Sequence, residues 1–114
     1  MGENNRTTIG LTPENKGTIE QVMSNFDEKA DAAKFAMSLA IENGIEPGKT
    51  TNTGTVWNVG SFDPDGEIRD LIVALYPSVA SPYVAVEHFI NQGFQLLDQH
   101  LEENTELDIL EVVG

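Results

Sequence analysis

The chain has no cysteine. Disulfides, thiolate nucleophiles, iron–sulfur ligation and cysteine-based zinc sites are therefore excluded. Bases are scarce as well: six lysines and arginines stand against 19 acids, a formal net charge of −13. The deficit is uneven, because residues 58–114 hold 11 acids and one base, Arg69, whereas residues 1–57 hold 8 acids and 5 bases. A half so acidic repels a phosphate backbone, and it suits a salt-rich surrounding or a basic partner. No apolar run approaches the roughly 18 residues of a membrane span and no secretory leader is recognisable, so a cytoplasmic location without membrane contact is expected.

The length of 114 residues fits a single domain, 1–114, that buries about two thirds of the surface of its unfolded chain. The strongest pattern in it is Ser81–Glu103. Ser81 followed by Pro82 is a helix start, since the serine hydroxyl can cap first-turn amides and proline gives up an amide that has no partner there. Val86, Phe89, Ile90, Gly93, Phe94, Leu97 and Leu101 recur on one arc, with Leu96 at its edge, while Glu87, Asn91, Gln95, Asp98 and Glu102 lie opposite and are expected in water. The helix is expected to be roughly 33 Å long, and the other elements to pack on its apolar arc.

Before it, Met1–Asn5 reads as a frayed terminus and Arg6–Leu11 as a short strand, with Ile9 and Leu11 on one side and Thr8 and Gly10 on the other. Thr12 and Pro13 repeat the capped start, opening a thin-striped helix to about Asn25 whose apolar positions are Ile19, Val22 and Met23. Asp27–Asn43 is a third helix, capped by Asp27 and closed by Asn43 and Gly44. It is apolar around most of its circumference, which predicts burial and a homo-oligomer built partly on it, with the strand Thr7–Leu11 as a second contact between copies. Ile45–Thr55 reads as an exposed loop, and Val56–Phe62 as a short strand or extended edge. Asp63 and Pro64 read as a third capped start, for a helix through Ile68, Leu71, Ile72 and Leu75 that Pro77 stops. Residues 104–114 read as a short acidic tail or helix. The expected fold class is mainly α, with about four helices, a short N-terminal strand and one short strand near 56–62.

Candidate chemistry is sparse. GKT at Gly48–Thr50 lies in GIEPGKT, which falls short of the phosphate-loop spacing and has no preceding strand. Asp63 and Asp65 before Gly66 resemble a calcium loop, but with Gly66 as its sixth position the twelfth is Ile72 rather than glutamate and the first is Ser61. His88 falls on the polar arc of the last helix and His100 at the edge of its apolar arc, about 18 Å apart, too far to share a metal. No serine or lysine stands in a recognisable activated setting. No catalytic residue, metal or cofactor is expected, and the chain does not read as an enzyme.

Strand, helix, helix in the first 45 or so residues resembles the ribbon-helix-helix arrangement of small DNA-binding dimers. Thr8 and Gly10 are too short to read bases, however, and Asp27, Glu28 and Asp31 crowd the amides that would hold a phosphate. A closer resemblance runs through four stretches in fixed order: RTTIGLT from Arg6, KFAMSLAI (Lys34–Ile41) with EPG at 46–48, GEIRDLIVALY (Gly66–Tyr76) and HFINQGFQLL (His88–Leu97). Together they resemble the E subunit (DndE) of the Dnd DNA-phosphorothioation systems, which replace a non-bridging phosphate oxygen of DNA with sulfur. The resemblance implies a compact, largely helical homo-oligomer. It also implies binding to DNA, nicked duplex in particular, beside larger sulfur-transfer and ATPase subunits, without catalysis of its own. Members of the family bind DNA through surface lysines, so the resemblance places DNA contact on Lys16, Lys29, Lys34 and Lys49, with Gln92 standing where the family pattern shows arginine. The acidic half leaves a competing reading open: a protein–protein adaptor or DNA mimic that docks on a basic partner through Glu102, Glu103, Glu106 and Asp108.

Overall fold

A computed structural model describes residues 6–103, so the readings of Met1–Asn5 as frayed and of 104–114 as an acidic tail lie outside the described residues. The fold is mainly α. In chain order its elements are β1 (Thr8–Leu11), α1 (Pro13–Val22) with a 3₁₀ turn at Met23–Asn25, α2 (Lys29–Glu42), β2 (Gly54–Asn58), the single turn α3 (Val59–Phe62), α4 (Glu67–Leu75) and α5 (Pro82–Glu103).

The centre is the crossing of α2 and α5. Along α2, Ala32, Ala33, Ala36 and Ala40 are fully buried, and their small side chains let α5 lie close. From α5 come Val86, Phe89, Ile90, Phe94 and Leu97, all buried, the apolar arc expected of this helix. Fully burying one such side chain stabilises the fold by about 1.5–3 kcal/mol. Ile9 and Leu11 of β1, Ile19 and Val22 of α1, Phe62 of α3 and Ile72 of α4 complete the core. Every apolar side chain of α2 is buried or half-buried inside its own chain. The expectation that α2 needs a second subunit to cover it therefore loses its ground, since α5, α1 and the 3₁₀ turn at Met23–Asn25 supply the cover. Among the described residues the large hydrophobic ones left exposed are instead Leu71, Val73 and Leu75 of α4.

The helix starts follow local chemistry, with two shifts. Thr12 caps α1 as expected, accepting from the Asn15 amide at 3.3 Å. Asp27 does not cap α2. Glu28 holds the N-cap backbone position there, without a side-chain bond, because the 3₁₀ turn and the extended Phe26 carry the chain one residue further. At the other end of α2 the Gly44 amide bonds the Ile41 carbonyl and the Ile45 amide the Ala40 carbonyl, a Schellman closure in which Gly44 takes φ +76.

Asp63-Pro64-Asp65-Gly66 is a turn rather than the first residues of a helix. The Gly66 amide bonds the Asp63 carbonyl at 3.1 Å, proline stands at the second position, and Gly66 turns left-handed at φ +72. Helix α4 thus starts three residues later than the capped-proline reading places it. The expected strand over Val56–Phe62 is also displaced. Strand β2 begins at Gly54, inside the stretch read as loop, and ends at Asn58, after which residues 59–62 form α3 and set Phe62 against Trp57, the rings tilted at 53° with centroids 5.2 Å apart.

Strands β1 and β2 pair antiparallel within the chain, Ile9 opposite Trp57 and Gly10 opposite Thr55, with a register shift between them. The ribbon that two copies build in a ribbon-helix-helix dimer is here made by one chain. Gly10 is required at this point, since a Cβ on it would stand 2.6 Å from the Gly54 carbonyl oxygen.

Candidate functional site

Glu87 and Asn91, one turn apart on α5, are 2% and 0% exposed, although the helical wheel assigns both to water. They hold β1 from the side opposite β2. Glu87 Oε2 accepts from the Gly10 amide at 2.8 Å and Oε1 from Arg6 at 3.0 Å. The Asn91 amide nitrogen donates to the Gly10 carbonyl at 3.1 Å, and its oxygen accepts from the Thr12 amide at 3.0 Å and from the Asn15 side chain at 2.8 Å. Both backbone groups of Gly10 are thereby taken, which leaves β1 closed to a second copy at that residue. This is a fully partnered cluster, and among the described residues no buried side-chain nitrogen or oxygen lacks a partner. Its role is to join the strand to the helix. A wheel computed on α5 alone cannot find it, because the signal lies in Gly10, 77 residues away from Glu87.

Asp63 is the second buried carboxylate. Its two oxygens accept from the amides of Ile68 (3.0 Å) and Arg69 (3.1 Å) in the first turn of α4, and the Tyr83 hydroxyl of α5 donates to it at 2.7 Å. Burial pushes this carboxyl up. The two amides, the Tyr83 hydroxyl and the Arg69 charge outweigh that and hold it below the ordinary 3.8. Burial and the same carboxylate push the Tyr83 phenol up to about 12. Asp63 thus caps α4, as the sequence suggests for its side chain, and Asp65 stands exposed in the turn. Among the described residues no group of three or more metal-ligating side chains comes together.

His88 is half-buried under the segment that carries GKT. Its Nδ1 lies 3.0 Å from the Thr50 hydroxyl, and Gly48 lies against the ring, where a Cβ would stand 3.1 Å from Nε2. Burial lowers its pKa below 6.5. The GKT stretch is preceded by a helix, α2, and followed by a strand, β2, the reverse of the order in a phosphate loop. Residues Pro47–Lys49 line a shallow depression of about 310 Å³ with Ser81, Val84 and Ala85.

The four lysines are placed against four different neighbours. The Lys16 ammonium fills the space beside Gly54 of β2. Lys29 pairs with Glu20 of α1 at 2.8 Å, the two side chains 49% and 62% exposed. Lys34 reaches over the Phe62 ring, 5.4 Å from its centroid. Lys49 borders the depression at the start of α5.

Two surface features remain. A cleft of about 350 Å³ between α1 and α5 is lined by Glu14, Asp98 and Glu102 with Asn15, Gln95 and Gln99. On α4, Leu71, Val73 and Leu75 are 45%, 46% and 49% exposed, and Ile72 alone is fully buried. No family model, curated protein or solved structure matches this chain.

Proposed function

We propose that the chain is an accessory, non-catalytic subunit of a DNA phosphorothioation system, a homo-oligomer that contacts DNA and the larger modification subunits. The observation that carries the contact with a larger subunit is the face of α4 that presents Leu71, Ala74 and Leu75 to water, on a fold whose core is closed without it. A surface of this kind is suited to contact with another macromolecule. The four ordered stretches of sequence supply the choice of system, and two of them, Lys34–Ile41 and His88–Leu97, fall on the α2–α5 crossing that builds the core.

DNA contact falls to Lys16, Lys29, Lys34 and Lys49, which stand in the less acidic half of the chain. For Lys29 a phosphate replaces Glu20, an exchange that costs little because both side chains are exposed. A patch repeated over several copies is needed to outweigh the acidic half, so binding is weak per chain and cooperative per oligomer. Each phosphate contact contributes about −0.9 to the slope of log affinity against log salt. A titration with nicked duplex at two salt concentrations, on the wild type and on Lys34→Glu, tests this. Binding that weakens steeply with salt, with a flatter slope in the variant, supports the reading. Undetectable binding at low salt overturns its DNA part.

The cleft lined by Glu14, Asp98 and Glu102 favours a second reading, an acidic adaptor or DNA mimic with no DNA binding of its own. That reading requires a basic partner whose capture weakens when Glu102 and Glu103 are neutralised; Glu106 and Asp108 lie outside the described residues. DNA retention by the wild type would dismiss it.

A further inference from the structure

We infer that the outer face of α4 is the docking site for an amphipathic helix with basic flanks, supplied by a different protein. At 100° per residue Glu67, Asp70, Leu71, Ala74 and Leu75 share one face of this helix, and all five are exposed. The face has two ends. Glu67 and Asp70 make the N-terminal end acidic, with the exposed Asp65 just before them, while Leu71, Ala74 and Leu75 make the C-terminal end apolar. The partner that fits carries apolar residues at helical spacing and at least one lysine or arginine about a turn away from them.

Charge decides against pairing with the α4 of a second copy, and Lys29 and Lys34 of the first half stand on α2, whose apolar side chains are buried or half-buried in their own chain. Residues 58–114 hold one base, Arg69, and it is already engaged with Asp70 at 3.3 Å. A parallel pairing of two α4 helices sets acid against acid. An antiparallel pairing sets each Glu67 and Asp70 against the other copy's Leu75 end, which offers no base and desolvates the carboxylates without recompense. A basic helix from elsewhere satisfies both ends at once. The inference rests on the proposed role only in that a partner subunit exists, and it is independent of DNA contact.

The probe is a fluorescein-labelled synthetic helical peptide with leucines at i, i+3, i+4 and i+7 and lysines at its flanks, followed by anisotropy. Wild-type protein is expected to bind it, and Leu71→Ser/Leu75→Ser to bind about tenfold or more weakly at unchanged net charge. The same peptide with glutamate in place of lysine is expected to bind only Glu67→Lys/Asp70→Lys. All four positions are exposed, and circular dichroism verifies that each variant is folded. Equal binding by wild type and Leu71→Ser/Leu75→Ser means plain attraction to an acidic protein and overturns the inference. A wild-type oligomer in light scattering that the same leucine variant dissolves also overturns it, because the face then belongs to a second copy. Failure of the nicked-duplex titration leaves these outcomes untouched.

Discussion

Gly93 of α5 rests directly on the Ala36 carbonyl of α2. A methyl group built on Gly93 would overlap that carbonyl and come within 2.8 Å of the Ala36 Cα, which is backbone and has no rotamer to yield. Gly93→Ala is therefore expected to destabilise the protein, although alanine is the better helix former by about 1 kcal/mol. Forcing the two helices apart costs about 1–3 kcal/mol or more. A lower urea midpoint for Gly93→Ala is the expected result; an unchanged or higher one contradicts the close crossing.

Removing the Asn91 side chain strips partners from the Gly10 carbonyl, the Thr12 amide and the Asn15 side chain together. Each buried group left unsatisfied costs about 1–3 kcal/mol. Asn91→Ala is expected to lower the thermal midpoint far more than Gln95→Ala, which truncates an exposed residue of the same helix. Similar losses in the two variants would mean that the clasp is not formed.

The Asp63–Tyr83 pair limits stability at both ends of the pH scale. Because the Asp63 pKa is lowered in the folded protein, its contribution is present above about pH 4 and lost as the pH falls through its folded value. Tyr83 is raised to about 12, so its contribution is present below pH 10 and lost between 10 and 12. In denaturation curves across pH, Tyr83→Phe should be less sensitive than the wild type over the alkaline range. Parallel curves there would rule out the phenol–carboxylate bond as the cause.

For His88 the sign runs the other way from a paired histidine. Its pKa is lowered by burial, so the neutral ring is favoured in the folded state and stability falls as the pH drops below 6.5. The imidazole shifts of His88 in an NMR titration should give a midpoint below 6.5. Thr50→Val removes the hydroxyl at Nδ1 and is expected to move that midpoint, whereas a midpoint at 6.5 in both proteins would place the ring in water.

The long helices were legible because their signals are local. Ser81-Pro82 marks the start of α5, Thr12-Pro13 that of α1, and Asn43-Gly44 the end of α2. Asp63-Pro64 has the same dipeptide form yet makes a turn, since Gly66 three residues on bends the chain left-handed and postpones the helix. Alternation inside residues 56–62 places β2 two residues late at its start and four residues late at its end, because the start is set by the pairing of Gly54 with Leu11 and residues 59–62 turn into α3. Glu87 and Asn91 were misread for a related reason: a wheel ranks faces by hydrophobicity, and a strand edge buries polar side chains that match its amides. The apolar face of α4 stood in the sequence as ordinary core spacing. Only the packing shows that Leu71 and Leu75 are left out of the core.

The clasp on Gly10 also sets an order of events during synthesis. Arg6, Gly10 and Thr12 find their polar partners 77 to 81 residues later in the chain, at Glu87 and Asn91. Before α5 leaves the ribosome, β1 has a strand on one side and nothing for the Gly10 amide and carbonyl on the other, and α2 lacks the helix that covers its alanines. The domain cannot complete itself from the N-terminus until α5 has emerged.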